Sequence, residues 1–84
     1  MNNLILDTNE VNILSLTPDK EVYLETNGET RKYKAVYDED SGWDFIAVDD
    51  DNIIYDDFGC SNFKELRAML LVDYAEGILT KVYF

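Results

Sequence analysis

The chain has no histidine and a single cysteine among its 84 residues. Without histidine it lacks the commonest general base near neutral pH and the commonest neutral metal ligand. A lone Cys60 excludes an internal disulfide framework and metal sites built on paired cysteines. Four glycines and one proline form no linker-like stretch, and the sequence holds no repeat and no low-complexity tract. No apolar run approaches the roughly 20 residues that span a bilayer. The opening residues, MNNLILDTNE, have three consecutive apolar side chains and no basic segment before them, so no secretory leader is expected.

Basic residues are scarce as well: seven Lys and Arg stand against 18 Asp and Glu, a net charge of −11. Solubility of a small domain needs a charge of only about 2–8 in magnitude, and the excess costs stability through self-repulsion. Such a chain repels nucleic acid and anionic membranes. A soluble, cytoplasmic protein with no direct nucleic-acid or membrane partner is the expectation. Apolar residues make up 46% and aromatic residues 13%, which is not the composition of a disordered acidic tail. Residues 1–84 are enough for one domain of two layers.

Short alternating runs separated by turn residues predict antiparallel strands. NLIL and VNILSL are the first two candidates, with DTNE between them; TPDK then turns the chain, Pro18 taking the second turn position. EVYLET leads to Asn27-Gly28, a tight hairpin signal because both residues accept positive φ. RKYKAVYD puts Tyr33, Ala35 and Tyr37 on one face and Lys32, Lys34 and Val36 on the other. DEDSG turns the chain into WDFIAV, and DDDN turns it again into IIYDDF. One helix is expected, roughly Ser61 to Glu76, with Asn62 and Glu65 in capping-box spacing and Gly77 ending it. Its Phe63, Leu66, Met69 and Leu70 should meet Phe45 or Trp43 in the core. ILTKVYF alternates again as a terminal strand. The fold class is α+β: an antiparallel meander of about five to six strands with one helix near the C-terminus on one face. Both faces of WDFIAV carry large apolar groups, which predicts a second face that is partly exposed and suited to protein contact.

Residues 37–59 hold nine carboxylates and no basic residue; the other nine acids share the rest of the chain with all seven bases. Aspartate favours turns and protects sheet edges, which accounts for DEDSG and DDDN separately. It accounts less well for YDDF, where two acids interrupt an apolar run. A negative surface made to meet a positive one accounts for the whole tract. Alternate strand residues lie about 6.5–7 Å apart, so Asp38 and Asp40 could present charges like a phosphate backbone to an electropositive channel.

In size, charge and compactness, though through no shared motif, the chain resembles the small acidic phage-type inhibitors of CRISPR nucleases and restriction enzymes that mimic DNA. The resemblance implies a non-catalytic inhibitor of a basic, nucleic-acid-handling protein, and it transfers no individual residue. The tract itself supplies the candidates: Asp38, Asp40, Asp44, Asp49, Asp50, Asp51, Asp56 and Asp57 as fixed charges, with Tyr37, Trp43 and Tyr55 as aromatic anchors. Two rival classes stand beside this one. One is an immunity protein that neutralises a basic nuclease toxin; the other is an assembly module using an exposed aromatic sheet face.

The remaining constellations carry less. Counted from Asp38, a calcium loop needs glycine at position six, where Trp43 stands. Cys60 precedes a helix N-terminus, which favours thiolate, but it has no histidine as a base and has nine acids nearby. Arg31, Lys32 and Lys34 should pair with acids on neighbouring strands. With no phosphate loop, nucleophile–base set or room for a deep cleft, neither enzyme activity nor a cofactor is expected.

Overall fold

The computed structural model describes residues 6–56 and 59–84. In chain order these residues form α1 (Thr8–Leu14), β1 (Val22–Thr26), β2 (Glu29–Asp38), β3 (Gly42–Ala47), β4 (Asp50–Ile54), α2 (Phe63–Ala75) and β5 (Leu79–Tyr83). The strands make one antiparallel sheet in the order β4-β3-β2-β1-β5. The α+β class, the meander and the return of the last strand are as the sequence predicts; the number of helices is not.

The second helix stands where VNILSL reads as a strand. Its start is written in DTNE: Asp7 Oδ1 accepts the Glu10 amide at 2.9 Å, and Glu10 Oε1 accepts the Asp7 amide at 3.3 Å. That reciprocal capping box satisfies two end groups of the first turn. Ile13 is buried within α1 and Leu16 just past its C-cap, where the Leu16 amide still donates to the Ile13 carbonyl, while Val11 and Leu14 are exposed. Arg67 of α2 then donates to the Leu14 and Leu16 carbonyls, which lie where α1 ends. Of the expected first strand, NLIL, only Leu6 lies within the described residues, and it belongs to no strand.

Helix α1 lies along the outer edge of β5. Asn12 Nδ2 donates to the Val82 carbonyl at 2.7 Å, and Val82 N–H donates to Asn9 Oδ1 at 3.0 Å. Two asparagines therefore stand in for a missing neighbour strand at a residue that is fully buried, which closes an edge otherwise open to pairing. Asn12→Ala should cost about 1–3 kcal/mol, because the Val82 carbonyl loses its partner away from water. Urea denaturation of the variant measures that loss.

The hairpin at Asn27-Gly28 has φ of 51° and 78°, as a two-residue loop of mirror-image type requires. Ala47 pairs with Asp50, so the next turn is Val48–Asp49 and the DDDN segment lies mostly in β4, contrary to its reading as a turn. Strand β5 does not alternate either. Glu25 pairs with Lys81 and Thr26 with Leu79, leaving Thr80 as an extra residue. This bulge is what buries both Leu79 and Val82, three residues apart.

Core residues Val22, Leu24, Tyr33, Phe45, Ala47 and Val82 line one sheet face, against Leu66 and Leu70 of α2 and Ile13 and Leu16 beside α1. Asn62 caps α2 by accepting the Glu65 amide at 2.8 Å, while the Glu65 carboxylate takes the Ser61 hydroxyl instead of closing a box. Phe63 and Met69 are only partly buried at the margin of this core. Among the described residues no helix lies on the opposite face of the sheet.

Candidate functional site

The acidic tract is divided by the fold. Asp38 pairs with Gly42 at one end of β3, and Asp50 pairs with Ala47 at the other. Five residue steps of strand separate these ends, about 17 Å. At the first end Asp38 closes β2, and Glu39 and Asp40 occupy the turn. Asp38 Oδ1 accepts the Asp40 amide at 2.8 Å, so the two acids share an Asx turn and do not stand in the strand register expected of them. At the second end lie Asp49, Asp50 and Asp51. Asp50 Oδ1 accepts the Asn52 amide at 3.0 Å, and Asp49 is 3.5 Å from Arg31. All of these acids are exposed, and backbone amides hold the carboxylates of Asp38 and Asp50 in place.

Asp44 departs from the pattern. It is 5% exposed, and its Oδ1 accepts the Gly59 amide at 3.1 Å. The chain is brought there by Cys60, which exchanges both backbone hydrogen bonds with Trp43. Gly42 permits the approach: its φ is +82°, and a Cβ would lie 2.6 Å from the Cys60 carbonyl oxygen. Asp44 therefore ties a loop, and is not a surface charge like its neighbours. Asp56 is exposed just after β4. Asp57 lies outside the described residues.

The three aromatic candidates share the helix-bearing side of the sheet. Trp43 is half-buried, with its ring 5.7 Å from Phe63 and 5.5 Å from Tyr37. Tyr55 is also half-buried, edge-on to Tyr33 at 5.7 Å. Tyr37 alone is largely exposed, at 54%.

No protein-family model, no curated protein and no solved structure matches this chain. Its chemistry must be read from its own side chains. Among the described residues no three acidic or thiol side chains come together in a way that could hold a metal ion. Cys60 is 3% exposed; burial pushes its thiol up, and the Glu65 and Asp44 carboxylates push it the same way. A buried thiol in that setting is a poor nucleophile. An open hollow of about 380 Å³ is lined by Thr30, Arg31, Lys32, Val48 and Asp49, with the Arg31–Asp49 ion pair in it and no nucleophile–base pair. Lys32 pairs with Glu21 at 3.3 Å, so Arg31 and Lys32 do find acids, but one in a turn and one just before β1 instead of on the neighbouring strands; Lys34 makes no ion pair among the described residues. No helix among them is long and apolar enough to cross a membrane.

The acid that sequence reading passes over is Asp73. It lies three residues beyond Leu70 in the Leu66–Leu70 stripe of α2, and is 7% exposed. Its spacing in that stripe was the available signal. Tyr55 Oη donates to Asp73 Oδ2 at 3.1 Å, linking α2 to the segment that leaves β4. Burial pushes the Asp73 carboxyl up, with Asp56 and Glu76 adding to the rise and the Tyr55 hydrogen bond opposing it. Desolvation of the same contact also pushes the Tyr55 phenol up strongly.

A raised folded-state pKa means that stability grows as pH falls from neutral through that value, and stops growing once the unfolded carboxyl also protonates near 3.8. Asp7 acts in the other direction. The Tyr74 hydroxyl and the Glu10 amide hold its carboxyl low, so its contribution is present above 3.8 and lost as pH falls through the folded value. Thermal melts should therefore peak on the acid side of neutral. Asp73→Asn keeps an oxygen acceptor for Tyr55 and removes the buried charge. It should raise the neutral-pH Tm by about a few degrees and shrink the gain on mild acidification. An unchanged pH profile would remove Asp73 from this role.

Proposed function

We propose that this protein is a non-catalytic acidic inhibitor that binds the basic surface of a nucleic-acid-handling protein, of the CRISPR or restriction nuclease kind. The observation that carries the reading is the set of exposed carboxylates at both ends of β3 and just beyond β4. Asp38, Asp40, Asp50, Asp51 and Asp56 are exposed and have no ion pair among the described residues, and Asp49 has one. Asp38 and Asp50, held by turn hydrogen bonds, lose little conformational freedom on binding, and a negative field steers a positive partner at long range.

The same acids also do local work. Asp38 and Asp50 stabilise turns, and Asp50 and Asp51 put charge on the outer strand β4, where it discourages edge pairing. Local work explains each position but not the absence of lysine from the whole tract. The division into two ends favours contact with two separate basic patches over imitation of one continuous phosphate row. An immunity protein against a basic nuclease toxin rests on the same charges, and a toxin gene beside this one would favour it. Capture of partners from the native host lysate, repeated with Asp38, Asp40, Asp50 and Asp51 changed to asparagine, tests the reading. Loss of one basic protein from the second capture supports it; equal recovery removes it.

A further inference from the structure

Both helices pack on the Phe45 side of the sheet, so among the described residues no helix covers the other face. Strand register identifies what that face presents. Lys34 pairs with Ile46, Ile46 with Ile54, and Val36 lies diagonal to Ile46 across from Asp44. Ile54 is 45% exposed, and Val36 and Ile46 are half-buried. On the far side of the same face Tyr23 stacks on Tyr83 at 5.0 Å, and the charges beside them are matched internally, Lys32 with Glu21 and Lys81 with Glu25. The β2–β4 half thus carries a short aliphatic strip of Val36, Ile46 and Ile54, with the exposed Lys34 beside Ile46 and the buried Asp44 beside Val36, between the Asp38–Asp40 end and the Asp49–Asp51 end.

We infer that this strip, centred on the Ile46–Ile54 pair, is the anchoring surface for the inhibited partner, and that the partner meets it with an apolar strip between two basic patches. The inference rests on the acidic-inhibitor reading and adds the contact that steering alone does not supply. An apolar centre inside a charged rim is the usual anatomy of a specific interface. The aliphatic side chains span about 10 Å across three strands and about 7 Å along them, a projected area of roughly 70 Å². A standard interface covers about 800 Å² on each partner, so contact must extend from the strip onto both acidic ends. Charge complementarity then selects the occupant. A second copy of this chain would bring acid against acid at both ends, with −11 on each molecule, whereas a protein basic on both flanks satisfies the strip and the rim together.

Two peptide probes separate the contributions: an oligolysine, and an amphipathic lysine–leucine peptide of equal positive charge, each titrated into the isotopically labelled full chain. Both should shift the amide resonances of Asp38–Asp40 and Asp49–Asp51. Only the amphipathic peptide should shift Ile46 and Ile54, and it should bind about tenfold tighter. In the double variant Ile46→Thr/Ile54→Thr, which keeps β-branching on both strands, that advantage should vanish while oligolysine affinity stays the same. Ile54→Thr alone, at the more exposed position, should lose about threefold and serves if the double variant folds poorly. Equal affinity of the two peptides, or an advantage that survives in the variants, overturns the strip as anchor and leaves the acidic reading intact. If neither peptide binds, both readings fail. Sedimentation of the wild type showing a dimer that Ile54→Thr dissolves would assign the face to a second copy and overturn the inference.

Discussion

Replacing Phe45 with alanine should remove about 3–5 kcal/mol of stability, the usual cost of deleting a fully buried aromatic ring. Phe45 is completely buried in the core that also contains Leu66 and Leu70 of α2. A chain of 84 residues has a total stability of about 4–13 kcal/mol, so this one change consumes a large part of it. Denaturant titration should show a midpoint shifted far toward zero, with the unfolded form detectable in buffer. Tyr37→Ala is the control. Its ring is more than half exposed, and the loss should stay below about 1 kcal/mol, as for most surface changes.

The elements that could be read from the sequence are those whose local signals agree with their packing. Asn27-Gly28 fixes a hairpin by backbone preference alone. The helix with Leu66 and Leu70 four residues apart carries both a cap and a stripe. The strands from Val22 to Ala47 place most of their large apolar side chains on the face that the helices cover. Where reading failed, a local signal was weighed wrongly or a distant contact decided. DTNE has the spacing of a capping box, D-x-x-E, yet Val11 and Ile13 alternate as in a strand; Ile13 and Leu16, three residues apart, share a face only in helical geometry, and packing against α2 and β5 selects it. No local pattern reports that Asn9 and Asn12 will close the edge of β5, because their partner, Val82, is about 70 residues away along the chain. The bulge at Thr80 is equally silent, since it exists to bring Leu79 and Val82 to one face.

The candidate site was legible in composition and less so in arrangement. Residue counting finds the acids, and their exposure follows from turn chemistry at Asp38, Asp40, Asp49 and Asp50. That Asp44 is buried depends on the return of the chain at Gly59 and Cys60, a contact 15 residues away in sequence. Trp43 and Tyr55, expected as interface anchors because aromatic residues often are, lie half-buried on the same side as Phe45.

Changing Asp38, Asp40, Asp50 and Asp51 together to asparagine should slow association with a basic partner by about ten- to a hundredfold, the range that electrostatic steering supplies. Dissociation should change much less, because exposed rim charges act mainly on encounter. The fold should survive, since each of these side chains is exposed and asparagine retains the oxygen that accepts the Asp40 and Asn52 amides. Asp44→Asn is not equivalent. It alters a buried tie to Gly59 and belongs with stability variants.

The most direct measurement is the association rate of the wild type and of this fourfold variant with the captured partner, followed as ionic strength rises from about 0.01 M to about 1 M. Over that range the Debye length falls from about 30 Å to about 3 Å. The wild-type rate should fall steeply and converge on that of the variant, whose own rate should change little. Two rates that are equal at low salt, or a wild-type rate indifferent to salt, would contradict binding steered by the acidic ends.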